Sequence, residues 1–463
     1  MQATPSGFDA RRIPALHLLL ILALGGLALL AQGLVRFEYL VPDRAIIDAL
    51  LFSQLLGVHE VVLKYFVLLP VIPTVFGLAL LPTMIGVRQL AFPKLAVGAL
   101  ALHALAAVLL VLAFLQAKVE PGWAYAVGSS TSITNVSATF LVSLALMFMT
   151  MQLTALNLIV TIYRVRRPTL PPFVSSLYWA GWLMLIVLPV ALSAIVMALA
   201  ESTLSMGMFD AARGGMPTLL PWVFGLTSTP MQAIVLLPVL GLAATILSPE
   251  ETQADDRSRR TYWYMAAFAL LSLPAFDLRA MPGDLSWLTT QLGAFFKALM
   301  LVPLFPLALN LARTRLAPWT VARLYALAAL ALIILFAPLD LFLNLGGATA
   351  IFGTGYLADG RFRMMIAGSC LLIVLGGGHH FLRSPMLAGG NVATFVGIVL
   401  LFSLMATHLP MLIIGQHAIP SGYAVYPARF LPLQVLITFG GVVFVTSLIA
   451  GVLQLARRVT YTS

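Results

Sequence analysis

The stretch from His59 to Leu95 reads HEVVLKYFVLLPVIPTVFGLALLPTMIGVRQLAFPKL, and the rest of the chain is best understood outward from it. Its first turns carry His59, Glu60 and Lys64. Its middle carries Pro70 and Pro73, and Pro82 and Gly86 precede the break at Arg88. No residue between Lys64 and Arg88 is charged, and a run this apolar and this long reads as a helix that crosses a bilayer. The apolar run spans 50–87, more than one crossing needs, so its first turns are expected to lie at the surface or to tilt. Glu60 and Lys64 stand four apart and can pair on one helix face. The plain reading of that pair is mutual neutralisation at a helix interface. The sharper one is a proton or ion relay, because an ionisable side chain inside a membrane is a functional candidate.

The same texture recurs from end to end. Of 463 residues, 61% are hydrophobic and 9% are charged, against roughly 25% charged in soluble domains. Mean hydropathy is +1.02. These values exclude a soluble enzyme, a disordered chain and a domain with a single anchor. The short alternating segments of a β-barrel are missing. A single cysteine, Cys370, excludes an intrachain disulfide and a Cys-rich metal site. Apolar runs between charged or Pro/Gly-rich breaks predict twelve helices near 13–35, 50–87, 95–117, 136–163, 172–200, 218–248, 261–278, 286–312, 319–341, 361–383, 388–414 and 429–456. The expected fold class is therefore all-α integral membrane, one transmembrane domain over residues 1–463. The first run is apolar enough to resemble a signal peptide, but it is too long and lacks a small-x-small cleavage site, so it is read as retained.

Lys and Arg number 26 against 16 acids, a net charge of +10. In short loops this excess sets orientation and touches anionic headgroups, and it gives no support to nucleic-acid binding. With the N-terminus inside, sixteen of the basic residues fall in inner segments and eight in outer ones, while Lys64 and Lys297 lie within spans. That bias predicts both termini in the cytoplasm.

The opening stretch resembles subunit I of the haem–copper oxidases. The family pattern there is a haem-ligand His, a Pro eleven residues on, then P-L-M-I-G and A-F-P-R. His59, Pro70, Pro82, Met84, Ile85, Gly86, Ala91, Phe92 and Pro93 keep that spacing without a gap. Further anchors follow in order. Gly122, Trp123 and Tyr125 resemble the loop after helix three, without its prolines. Gly214, Gly215 and Pro217 resemble the G-G-D-P before helix six. Gly415, Pro420 and Tyr423 resemble the loop after helix eleven. The resemblance implies a twelve-helix haem–copper oxidase subunit I-like bundle.

The chemistry implied by that family does not carry over. The family uses six histidines, two on a low-spin haem, one on a high-spin haem and three on copper, because neutral imidazole suits both metals. This chain has no histidine between His103 and His379, and the family's copper ligands lie on helices six and seven, inside that gap. Pro217 to Pro230 matches the family's thirteen-residue spacing, which puts Thr229 at a copper-ligand position, Met231 at the proton-gating Glu and Ala233 at the cross-linked Tyr. On helix seven the family's His pair falls near Pro274 and Ala275. On helix ten the family's H-x-H is matched by Arg361-Phe362-Arg363. Arginine has no lone pair for iron. His59 is then the only haem ligand left, with Arg opposite it.

Other polar residues have plainer expectations. Arg361 and Arg363 are expected to pair with Asp359 or other loop acids, with lipid or a partner subunit as alternatives. His379 and His380 are adjacent on a helix and point two ways, which makes a poor metal clamp. His17, His103, His408 and His417 are read as isolated interfacial histidines. Lys297 stands roughly where the family keeps a proton-channel lysine. Asp340 and Asn344 are read as interfacial, Asn135 as the cap of helix four, Asp277, Arg279 and Asp284 as an outer cluster, and residues 255–260 as a solvated inner loop. The glycine-rich stretches, among them Gly376 to Gly378, are read as sites of close helix approach.

The expected function is a non-redox, cofactor-poor subunit, a structural component of a respiratory or redox complex in a bacterial cytoplasmic membrane. Its partners would be other membrane subunits and lipids. No catalytic residue and no metal site is assigned, and the cofactor expectation is none, or at most one haem on His59. One alternative is a divergent haem-containing oxidase or reductase. Another is a transporter or a quinone/lipid-binding module using Glu60, Lys64, Thr229, Gln232 and Lys297.

Overall fold

The segment around His59 forms one continuous helix, Ala49–Ile85, in the computed structural model. Asp48 caps its start by accepting the N–H groups of Leu50 and Leu51. Gly86 ends it in the left-handed conformation, φ 75°, where a side chain would be strained. The prolines inside it do not break it. Pro70 has no N–H to donate and its ring crowds the carbonyl four residues back. The backbone widens instead into two π-turns, Val62–Leu68 and Val71–Gly77, and the N–H of Leu69 reaches back five residues to Lys64.

The structure describes residues 12–42, 46–116, 137–165, 169–247, 255–276, 285–312, 319–345, 348, 351–352, 355–382 and 390–462. Among these, twelve long helices follow one another: α1 Ile13–Glu38, α2 Ala49–Ile85, α3 Pro93–Leu115, α4 Ala138–Tyr163, α5 Pro172–Leu204, α6 Leu219–Leu247, α7 Asp255–Ser272, α8 Leu285–Ala312, α9 Val321–Phe342, α10 Tyr356–Phe381, α11 Gly390–Gly415 and α12 Leu431–Thr462. No strand forms among the described residues, where pairing of this kind is limited to one isolated antiparallel bridge, Gly355 with Pro420.

Successive helices pack as neighbours, most closely α3 with α4, α4 with α5, α5 with α6 and α11 with α12. α6 is apolar all round and sits at the centre, touching α2, α5, α7, α8, α9 and α10. α12 lies at the periphery and turns much of its apolar surface outward, as expected for a lipid-facing helix. Small residues set the closest approaches. A Cβ at Gly241 of α6 would stand 2.0 Å from the Ser176 hydroxyl of α5. Gly376, Gly377 and Gly378 abut Tyr325, Phe76 and Leu455, on three different helices.

The twelve-helix expectation stands, with local corrections. α7 begins at Asp255 rather than 261. The charged run 255–260 is its first turn and a half, because a helix that starts at a membrane surface can carry charges there. α10 begins at Tyr356 rather than 361. The N–H of Tyr356 is held by Ile419 across the bridge, so Arg361 and Arg363 lie inside the helix. Helix four is capped by Ser137, whose hydroxyl accepts the Phe140 N–H at 3.0 Å. Gly122, Trp123, Tyr125, Asn135, Asp277, Arg279 and Asp284 fall outside the described residues.

Candidate functional site

Arg361 and Arg363 are two residues apart on α10, so they leave the helix roughly 200° apart. Each reaches a different polar residue singled out by the sequence. Arg363 turns to α2. Its guanidinium donates to His59 Nε2 at 3.0 Å, while His59 Nδ1 donates to the Ala28 carbonyl of α1, also at 3.0 Å. Both ring nitrogens of this buried imidazole are thus engaged. The Arg363 contact fixes the tautomer, because a guanidinium can only donate and Nε2 must accept. A π-turn, Arg363–Gly368, starts at this arginine.

Arg361 turns the other way. It donates to Gln232 Oε1 of α6 at 3.0 Å and pairs with the carboxylate of Asp340 on α9. Lys297 of α8 meets the same carboxylate at 2.9 Å. Four helices are therefore tied by one buried network, with two cations sharing one acid. Asp340 is 5% exposed and Lys297 6%. The expected pairing of Arg361 or Arg363 with Asp359 does not form. Asp340, read as interfacial, is the buried hub, and Asn344 instead donates to its backbone carbonyl at 2.7 Å.

Beside this network lies a cavity of about 30 Å³, room for two or so waters at roughly 10–15 Å³ each. Thr229, Gln232, Lys297 and Asp340 give it a polar wall, and Phe268, Met300 and Met365 are among its apolar neighbours. The Thr229 hydroxyl is buried there without a hydrogen-bond partner. Thr229, Gln232 and Lys297 thus come together as a group. Glu60 and Lys64 are not part of that wall.

Glu60 and Lys64 do pair, at 3.6 Å, with the Lys64 side chain 38% exposed. Lys64 also lies 5.5 Å from the centre of the Phe362 ring, which brings it alongside α10. His17 and His103, expected to be isolated, meet as a buried pair with Nδ1 to Nδ1 at 2.9 Å. His408 donates from Nδ1 to the Leu404 carbonyl of its own helix. His379 is buried and its neighbour His380 is not, so the two do point apart. Among the described residues no group of three His, Cys, Asp or Glu is arranged to hold a metal.

The residue that sequence reasoning undervalued is Asp340. Its signal was available: it is the one acid in the apolar run of α9, and an acid inside a membrane helix needs a partner.

Residues 12–443 match the family described as Cytochrome C and Quinol oxidase polypeptide I. The chain belongs to that family. It is 23% identical over 445 residues to cytochrome c oxidase subunit 1 of Thermostichus vulcanus, covering 92% of this chain and 79% of the relative. It is 24% identical over 474 residues to the alternative cytochrome c oxidase subunit 1 of Bradyrhizobium diazoefficiens, covering 92% and 77%. A chain from a haem–copper terminal oxidase dimer solved by cryo-EM shares the fold, with a TM-score of 0.79 at 15% identity over 98% of this chain and 84% of that one. This oxidase polypeptide I relative is an integral membrane protein of the same all-α bundle.

Proposed function

We propose that this chain is a non-redox, cofactor-poor member of the family that serves as a structural subunit of a respiratory or redox complex in a bacterial cytoplasmic membrane. The observation that carries this is the hydrogen bond from Arg363 to His59 Nε2. An iron ligand must offer a lone pair. The lone pair of His59 is taken by a guanidinium, its other nitrogen is tied to Ala28, and the residue facing it across the gap has no lone pair. These residues do not fit a haem iron.

The second former metal region supports the same reading. Thr229 stands at the copper-ligand position implied by the family spacing, and Arg361 at the other haem-ligand position. The space between them is filled by the Lys297, Asp340 and Arg361 network, leaving a cavity of about 30 Å³. That volume has room for a water or two and is small for a prosthetic group. The fold persists because helix packing depends on prolines, glycines and apolar faces, which this chain retains.

The test is a pyridine-haem spectrum and copper analysis on the purified complex, with the copurifying subunits identified. The expected result is neither haem nor copper in this chain, together with redox-active partner subunits. Stoichiometric haem that disappears in His59→Ala overturns the proposal and leaves an active haem-containing oxidase or reductase.

A further inference from the structure

Arg363 is a guanidinium at membrane depth with no carboxylate within ion-pair distance among the described residues. Its hydrogen bond to a neutral imidazole supplies no negative charge. Asp359 and Glu60 act on it electrostatically, but neither forms an ion pair with it, and Glu60 is engaged by Lys64. Arg36 and Lys64 add two further cations whose charge reaches His59. Leaving a cation unpaired in a low-dielectric site is costly, and buried charges are as a rule paired. Arg363 is half-buried, as Arg361 is, but unlike Arg361 it has no acid of its own chain to pair with among the described residues, so its counter-charge has to come from outside the chain.

Its depth limits what that counter-charge can be. Arg363 lies seven residues from the start of α10, about 10 Å along the axis. A helix of 26 residues is about 39 Å long and overhangs a ~30 Å hydrocarbon core by a few ångströms at each end. Arg363 is then within a side chain's reach of the headgroup layer. The flanking surface, including Phe362 and the stem of Lys64, is apolar. A planar guanidinium fork matches the oxygens of a phosphate diester, and its charge needs an anion.

We infer that Arg363, with Lys64 beside it, is the anchor for one anionic phospholipid of the leaflet at the start of α10. The phosphate pairs with the guanidinium, and the acyl chains run down the apolar face between α2 and α10. This rests on the proposal that no haem occupies the space next to His59.

The test uses the full chain, purified, stripped of lipid and offered equal phosphatidylglycerol and phosphatidylcholine in nanodiscs, with bound lipid counted by native mass spectrometry and haem measured on the same samples. The expected result is one phosphatidylglycerol per chain, preferred about tenfold, in the range of a charged hydrogen bond. Arg363→Gln loses that preference and Arg363→Lys keeps part of it. Arg429→Gln, which removes an exposed charge elsewhere at the same end, keeps it in full. Equal retention of the two lipids by the unmodified chain overturns the inference, as does undiminished preference in Arg363→Gln. So does displacement by millimolar inorganic phosphate, which would mean a free-anion site. A stoichiometric haem signal overturns the proposed function instead, so the two failures are told apart.

Discussion

Two arginines, two residues apart on one helix, face opposite problems. Arg361 has a carboxylate, shared with Lys297, and a glutamine to take a further N–H. Arg363, equally half-buried, has only the imidazole of His59. One arginine is neutralised in an ionic network inside the protein. The other is a cation whose balancing charge comes from beyond it. The difference shows that each buried cation poses its own electrostatic question, answered by whether an acid of the same chain lies within reach.

The largest break in this comparison is at the hub. Asp340→Ala leaves Lys297 and Arg361 buried without their shared carboxylate, a loss of about 3–5 kcal/mol by analogy with breaking buried ion pairs. It should read as a sharp fall in thermal stability of the detergent-solubilised chain. A fall no larger than that of an exposed substitution would mean that the network is not the strut described here. The comparison is sharpened by changing the arginines one at a time. Arg361→Met removes a charged hydrogen bond and an ion pair, costing about 1.5–3 kcal/mol, whereas Arg363→Met removes a cation with no acid partner, a relief that offsets the loss of the His59 hydrogen bond, and should cost less. Equal destabilisation by both would dissolve the contrast. The smallest effect belongs to Lys64→Gln. Its pair with Glu60 is more than a third exposed on the lysine side, and such pairs contribute about 0–1 kcal/mol.

The opening stretch was legible because its limits are written in residue types. Asp48 and Gly86 mark the ends of α2, and the observed helix differs from the expected one by one or two residues. α7 and α10 were misplaced for the same physical reason. The charges at 255–260 read as a loop, and the expected α10 starts at Arg361, five residues late, yet a membrane helix accepts charges near its ends or where a partner waits. The reading of Arg361-Phe362-Arg363 against the family's His-x-His rests on order and spacing alone. What Arg361 does was not, since Asp340 and Lys297 stand 21 and 64 residues away along the chain and nothing local announces that they converge. The pairing of His17 with His103 was hidden likewise by an 86-residue separation.

The π-turns of α2 bear on how this chain can change its length. A π-turn is a helix with one residue too many. Deleting a single residue between Val62 and Leu68 would close that widened turn and press the Pro70 ring back against the carbonyl four residues before it. It would also turn everything on the N-terminal side by about 100° relative to the remainder. His59 would then swing off Ala28 and Arg363 together. The surplus residue works as a phase marker: this segment tolerates exchange of side chains far better than gain or loss of one position, and an alignment gap placed there would signal a different arrangement of the bundle.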